Sequence, residues 1–165
     1  TAEHFYNEGI RNSYFEDPEN LSYSEFPQYI DEYLKKEKPT AYVQKDPMGG
    51  EDWQSVTKIG VKWNEADDRE VKLEKIITQK YIALFPLSTE AWTELRRTGY
   101  PKLFPVLNPE DGDGTLDYGD VIRRIPWLPT DPQGQSIVDR SGLHALGGAD
   151  FQGTRLWWDV AAPNF

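Results

Sequence analysis

The side chains best suited to chemistry lie between Thr40 and Trp63, where Tyr42, Trp53 and Trp63 are interleaved with Asp46, Asp52 and Gln54. Pro47, Gly49 and Gly50 make this stretch irregular. Sugar sites use such a mixture, because the C–H face of a pyranose stacks on an aromatic ring while carboxylates and amides take up its hydroxyls. Loops carry binding function disproportionately. The same rings can instead pin a long loop to the core, and the residue types alone leave both readings standing.

Other reactive groups are scattered. Asp111, Asp113, Thr115 and Asp117 alternate within Asn108 to Asp120, as the oxygen ligands of a calcium loop do, so a structural calcium is one reading. The glycines there do not fall where an EF-hand needs them, and no closing glutamate follows. Arg96 and Arg97 could grip a carboxylate or sulfate on a ligand, or pair with Glu90, Glu94 or an acidic loop. The formal charge of −10 favours pairing, since acidic partners are plentiful. His4 and His144 have no companion ligand, base or nucleophile in view. Cysteine is absent, which excludes disulfides, thiolate metal sites and a cysteine nucleophile. Two of the 28 acidic residues could serve as a glycosidase acid and base, but sequence context singles out no such pair. The residues thus single out no catalytic set, and no cofactor beyond that structural calcium.

Charge and composition narrow the partners. With 28 acidic and 18 basic residues the chain repels phosphate backbones and anionic membrane surfaces, which argues against nucleic acid as the main partner. No apolar run approaches the ~20 residues of a membrane span, and the first residues have neither the basic start nor the apolar core of a signal peptide. Residue 1 falls just before helix-like sequence, so the chain reads as a piece of a longer one. At 165 residues it is long enough to bury a real core. The hydrophobic fraction of 38% is low against a usual ~45–50%, yet aromatics reach 13%, so rings carry much of the burial or face a ligand.

The elements that must position these groups are mainly helical. Ala2, Phe5, Tyr6, Gly9, Ile10, Ser13 and Tyr14 repeat at helical spacing and predict a helix over Ala2 to Phe15, with Gly9 admitting a close neighbour. A shorter helix is expected from about Glu25 to Lys36, capped by Ser24, with Tyr29, Ile30, Tyr33 and Leu34 on its buried side. Val56, Ile59, Val61 and Trp63 could form a short strand. Asn64 to Tyr100 organises the rest. Asn64 would cap a long helix whose apolar face is Leu73, Ile76, Ile77, Tyr81, Leu84 and Phe85. After Pro86 a second helix follows, capped by Ser88 and stapled by Leu87 and Trp92, with Gly99 as its left-handed stop. Val121 to Trp127 reads as extended, Thr130 to Gly148 as loop, and Trp157 and Trp158 as rings that anchor the tail.

Several segments are similar to one known family. FYNEGIRNS, KLEKIITQKYIALF, EAWTELRRTGYPKLFP, IRRIPW and GGADFQGTRLWWD occur in the order and character of the C-terminal part of SusD/RagB-family, starch-binding-type outer-membrane lipoproteins. The resemblance covers about Ala2 to Arg11 and Lys72 to Val160 and is weak over Glu16 to Lys62. Trp127 stands where the family usually has tyrosine, and the stretch after it departs from the usual acidic, asparagine-rich one.

This resemblance implies one mainly α region over 1–165, helices with long irregular loops, whose tetratricopeptide-like partner helices lie upstream. It implies non-catalytic capture of an oligosaccharide at the bacterial cell surface and delivery to a SusC-like TonB-dependent transporter. Contact with the outer membrane would be only through an N-terminal lipid anchor absent from this chain. It identifies no ligand residues, so Tyr42, Trp53, Trp63, Asp46, Asp52 and Gln54 rest on the loop chemistry alone. The rival expectations are a structural or partner-docking module without a ligand and, further off, a glycoside hydrolase. An isolated piece of the fold should expose apolar surface along the long helix.

Overall fold

A computed structural model describes residues 1–15, 27–47, 49–50, 52–104, 116, 121–127, 141–160 and 163–165. The chain divides into two compact units, one formed by Thr1–Phe104 with Asn164–Phe165 and the other by Pro105–Pro163. The fold is mainly helical, as expected. The first unit contains α1 (Ala2–Phe15), α2 (Pro27–Leu34), a two-stranded antiparallel hairpin of β1 (Val43–Gln44) and β2 (Trp53–Gln54), α3 (Arg69–Ala83) and α4 (Ser88–Thr98). The second contains α5 (Leu143–Leu146) among extended segments. No helix among the described residues is long and apolar enough to cross a membrane.

The core of the first unit is aromatic. Tyr6 and Ile10, one helical turn apart on α1, bury against Val61 and Trp63, with Tyr33 and Leu34 of α2 packed on them. The Tyr6 hydroxyl donates to the Val61 carbonyl at 2.8 Å, and its burial raises the phenol well above its ordinary pKa. The short strand expected through Val56, Ile59, Val61 and Trp63 does not form, because the chain bends at Val61 and Lys62; Val61 and Trp63 still turn inward while Lys62 is exposed. The Val61 and Lys62 N–H groups both donate to the Lys36 carbonyl, at 2.8 and 2.9 Å. Gly60 permits this approach, because a Cβ there would run into the backbone of Lys36 and Glu37. Tyr29, expected on the buried side of α2, is 60% exposed, whereas Ile30 is buried. Gly9 has open space beside it, so it admits no close neighbour in this chain.

α3 starts later than the sequence pattern predicts. Asp68 is its N-cap and accepts from the Val71 N–H at 2.8 Å. Asn64 instead closes a turn ahead of the helix, its side chain accepting from the Ala66 N–H at 3.0 Å. The buried stripe is also turned from the predicted face. Ile77 is buried, but Ile76 is 44% and Phe85 87% exposed, while Glu74 and Lys75 are buried. Partners from neighbouring loops explain this reversal. Thr57 donates to Glu74 at 2.8 Å, and Lys75 donates to the Lys62 carbonyl at 2.6 Å and to Asp67 at 2.5 Å.

α4 lacks the expected Ser88 cap and staple: Leu87 holds the cap position without a side-chain bond and lies exposed. Its end is as predicted, with Gly99 in the left-handed region at φ 73° and its N–H on the Leu95 carbonyl. The two helices are tied by Lys80, which reaches Glu94 at 2.7 Å and Glu90 at 3.2 Å. Burial opposes ionisation of Glu94, but bonds from Lys80 and Arg97 outweigh it and lower its pKa. Arg97 therefore pairs as its acidic surroundings implied, whereas the buried Arg96 stacks 3.6 Å from the Trp92 ring centre.

In the second unit, Asp159 is 1% exposed and receives Arg155 at 2.6 Å and Arg123 at 3.4 Å. Arg124 pairs with Asp150, and the Arg123 and Arg124 N–H groups share the Gln152 carbonyl. These contacts give the IRRIPW and WWD segments a common purpose: the arginines of one bind carboxylates in or just before the other. Of the two rings expected to anchor the tail, Trp157 is 88% exposed and Trp158 is half-buried, and the most buried group there is Asp159. α5 lies inside the stretch expected to be loop.

Candidate functional site

The structure divides the predicted aromatic site. In the hairpin Gln44 pairs with Trp53, Val43 with Gln54, and the Ser55 N–H donates to the Tyr42 carbonyl at 2.9 Å. Strand alternation therefore places Tyr42, Gln44 and Trp53 on one face and Gln54 on the other. Tyr42 is 62% exposed and meets Phe104 edge-on at 5.8 Å; Trp53 is half-buried.

The nearby carboxylates serve the loop itself. Asp52 pairs with Lys45 and accepts from the Asp46 N–H at 3.2 Å, which together hold its pKa below the ordinary value. Asp46 in turn accepts from the Gly50 N–H at 2.8 Å. These two residues shape the turn that joins the strands.

Trp63 lies elsewhere. It is buried in the core, 5.0 Å from the Tyr6 ring and 5.8 Å from the Lys72 ammonium, and its Nε1 has no hydrogen-bond partner among the described residues. The core cluster with Tyr6 and Ile10, rather than a loop surface, claims that ring. Tyr42 and Trp53 are thus brought together, and Trp63 is separated from them.

Two clefts flank Trp63. One, of about 470 Å³, is walled by Phe5, Gly9 and Ser13 of α1 and by Ile76, Gln79 and Ala83 of α3, and is almost wholly apolar. The other, also about 470 Å³, is lined by Glu37, Lys62, Asn64, Asp67 and Lys75 together with Trp63. Its charges are already paired: Lys62 with Glu37 at 2.7 Å, Lys75 with Asp67 at 2.5 Å. The polar cleft offers hydrogen bonds to a neutral ligand, and the apolar one offers only packing. Sequence reading missed both, because their residues are gathered from helices and loops far apart in the chain. No group of three or more metal-binding side chains occurs among the described residues. The proposed calcium ligands Asp111, Asp113 and Asp117 lie outside the described residues.

The family model for SusD-like proteins, described as Susd and RagB outer membrane lipoprotein, matches residues 1–159. The chain belongs to the SusD-like family. Among solved structures, a chitin-binding SusD homologue from Flavobacterium johnsoniae is 40% identical with a TM-score of 0.80, covering 100% of this chain and 33% of its own. A SusD homologue from Bacteroides vulgatus is 38% identical with a TM-score of 0.76, covering 97% and 30%. One from Bacteroides uniformis is 34% identical with a TM-score of 0.76, covering 96% and 31%. The chain thus spans about a third of the length of these relatives. A comparison with curated proteins found no match.

Proposed function

We propose that this chain takes part in non-catalytic capture of an oligosaccharide at the bacterial cell surface, for delivery to a SusC-like TonB-dependent transporter in the outer membrane. The observation that carries this reading is the family match over residues 1–159, together with 40% identity to a chitin-binding homologue across the whole chain. The hairpin face with Tyr42 and Trp53 is the surface we assign to sugar contact, with Asp46 and Asp52 within the same turn; Gln54 serves only a ligand that reaches the other face. Calorimetry with a panel of neutral oligosaccharides, chito-oligosaccharides included, should show saturable binding that falls about tenfold for Tyr42→Ala or Trp53→Ala. Absence of binding to every glycan of the panel would overturn the function, and unchanged affinity in both variants would overturn the site. Release of reducing sugar by the purified chain would revive the hydrolase reading.

One observation favours a second reading, a packing or docking module. The cleft between α1 and α3 is apolar, with Phe5 75% and Ile76 44% exposed beside it. On that reading a hydrophobic dye binds the chain and is displaced by Gly9→Trp, which fills the cleft, while glycans have no effect.

A further inference from the structure

The second unit carries a groove of its own, of about 310 Å³, lined by Arg124, Trp127, Leu143, Leu146, Asp150 and Leu156. Trp127 is half exposed there. Its main chain is held firmly, since its N–H donates to both oxygens of Asp150, at 3.2 and 3.0 Å. Pro126 before it fixes a further backbone dihedral. An aromatic ring carried on so constrained a backbone loses little freedom on binding a ligand.

The electrostatics select the kind of ligand. Arg124 spends Nη1 on Asp150, and the pair neutralises itself, so the groove does not call for an ion. Of the guanidinium's five N–H donors, those on Nε and Nη2 have no bond among the described residues. Beside them stand three leucines. A ligand that fits must therefore be neutral, present a flat C–H face to the indole, offer an acceptor to Arg124 and bring a small apolar group to the leucines. An unmodified hexose bears hydroxyls around its rim and leaves the leucine wall unmatched. A 2-acetamido hexose supplies all three, with its carbonyl oxygen as the acceptor and its methyl as the apolar group. The volume, at the small end of the roughly 300–1,000 Å³ of ligand clefts, suits a single sugar residue.

We infer that the Trp127 groove is a subsite for one N-acetylhexosamine residue of a glycan. The assignment rests on the glycan-capture reading and adds a position and a chemical class to it. Titration of the whole chain with N,N′,N″-triacetylchitotriose and with cellotriose, which shares the linkage but lacks the acetamido groups, provides the test. The acetylated trisaccharide should bind about tenfold more tightly, and Trp127→Ala should remove about that factor while circular dichroism stays unchanged. Saturation-transfer NMR on the unaltered chain should show the strongest transfer at the acetamido methyl, a readout independent of any variant's folding. Equal binding of the two sugars, an unchanged affinity in Trp127→Ala, or transfer confined to ring protons would overturn the subsite. In those cases binding of any panel glycan sensitive to Tyr42→Ala or Trp53→Ala would leave the function itself intact. A chain that binds no glycan overturns both.

Discussion

Tyr100 donates its hydroxyl to Glu70 at 2.8 Å across 30 residues, fastening the segment after α4 to the first turn of α3. Asn164 completes the same carboxylate with its N–H at 2.7 Å and its side-chain amide at 3.1 Å. The Tyr100 and Asn164 bonds hold the Glu70 carboxyl below its ordinary pKa. Burial, then the bond to Glu70, pushes the Tyr100 phenol up to about 12.

This knot makes stability depend on pH at both ends. The lowered Glu70 contributes stability that is present above the ordinary carboxylate value of ~4.3 and lost as pH falls through its lower folded value. The raised Tyr100 contributes stability below the ordinary phenol value of ~10, lost as pH rises toward 12. Thermal melts should show Glu70→Gln less stable than the parent at pH 7 but with a shallower decline between pH 5 and 3. Tyr100→Phe should lose stability at pH 7 and the extra fall above pH 10.

Lys75 is a buried ammonium satisfied by Asp67 and the Lys62 carbonyl. Lys75→Ala leaves both acceptors without their donor, and denaturant melts should show a loss of about 3 kcal/mol. Exposed pairs behave differently. Lys45→Ala, whose side chain is 78% exposed, should change stability by less than about 1 kcal/mol.

The turned face of α3 can be checked with neighbours of identical chemistry. Ile77→Ala should cost about 2–4 kcal/mol, because Ile77 is 4% exposed and leaves a cavity. Ile76→Ala should cost about 1 kcal/mol or less, since Ile76 is already 44% in water.

Two glycines should respond in opposite directions. Gly60→Ala drives a Cβ into the Lys36 and Glu37 backbone and should destabilise the chain strongly or prevent folding. Gly9→Ala meets nothing within 4 Å inside α1 and should raise stability by about 0.5–1 kcal/mol. Urea melts of both variants would decide.

Local rules made the helices readable. Spacing alone placed Ala2–Phe15, and Gly99 marked the end of α4, because these features depend on residues within a turn or two of one another. The buried face of α3 was not readable, since Glu74 and Lys75 are admitted to the interior by partners on loops whose course no helical period records. The site fared likewise. Tyr42 and Trp53 share a face because of a register set by cross-strand bonds, while the aromatic count could not separate Trp63, which the core takes, from rings that meet solvent. The family signature was legible because its arginines and carboxylates hold one another in place, as Arg123 and Asp159 do. That same role explains why the signature says little about ligand.

The return of the last two residues to the first unit has a consequence for the span before them. Residues 105–163 begin after Phe104 and end before Asn164, which is pinned to Glu70, so they form an insertion between two fixed points. Closing a length of chain between two fixed points costs only about 0.6 kcal/mol more for each doubling of that length. A change in the length of this span therefore costs the first unit little, so long as the Arg123–Asp159 and Arg124–Asp150 pairs within the span are kept.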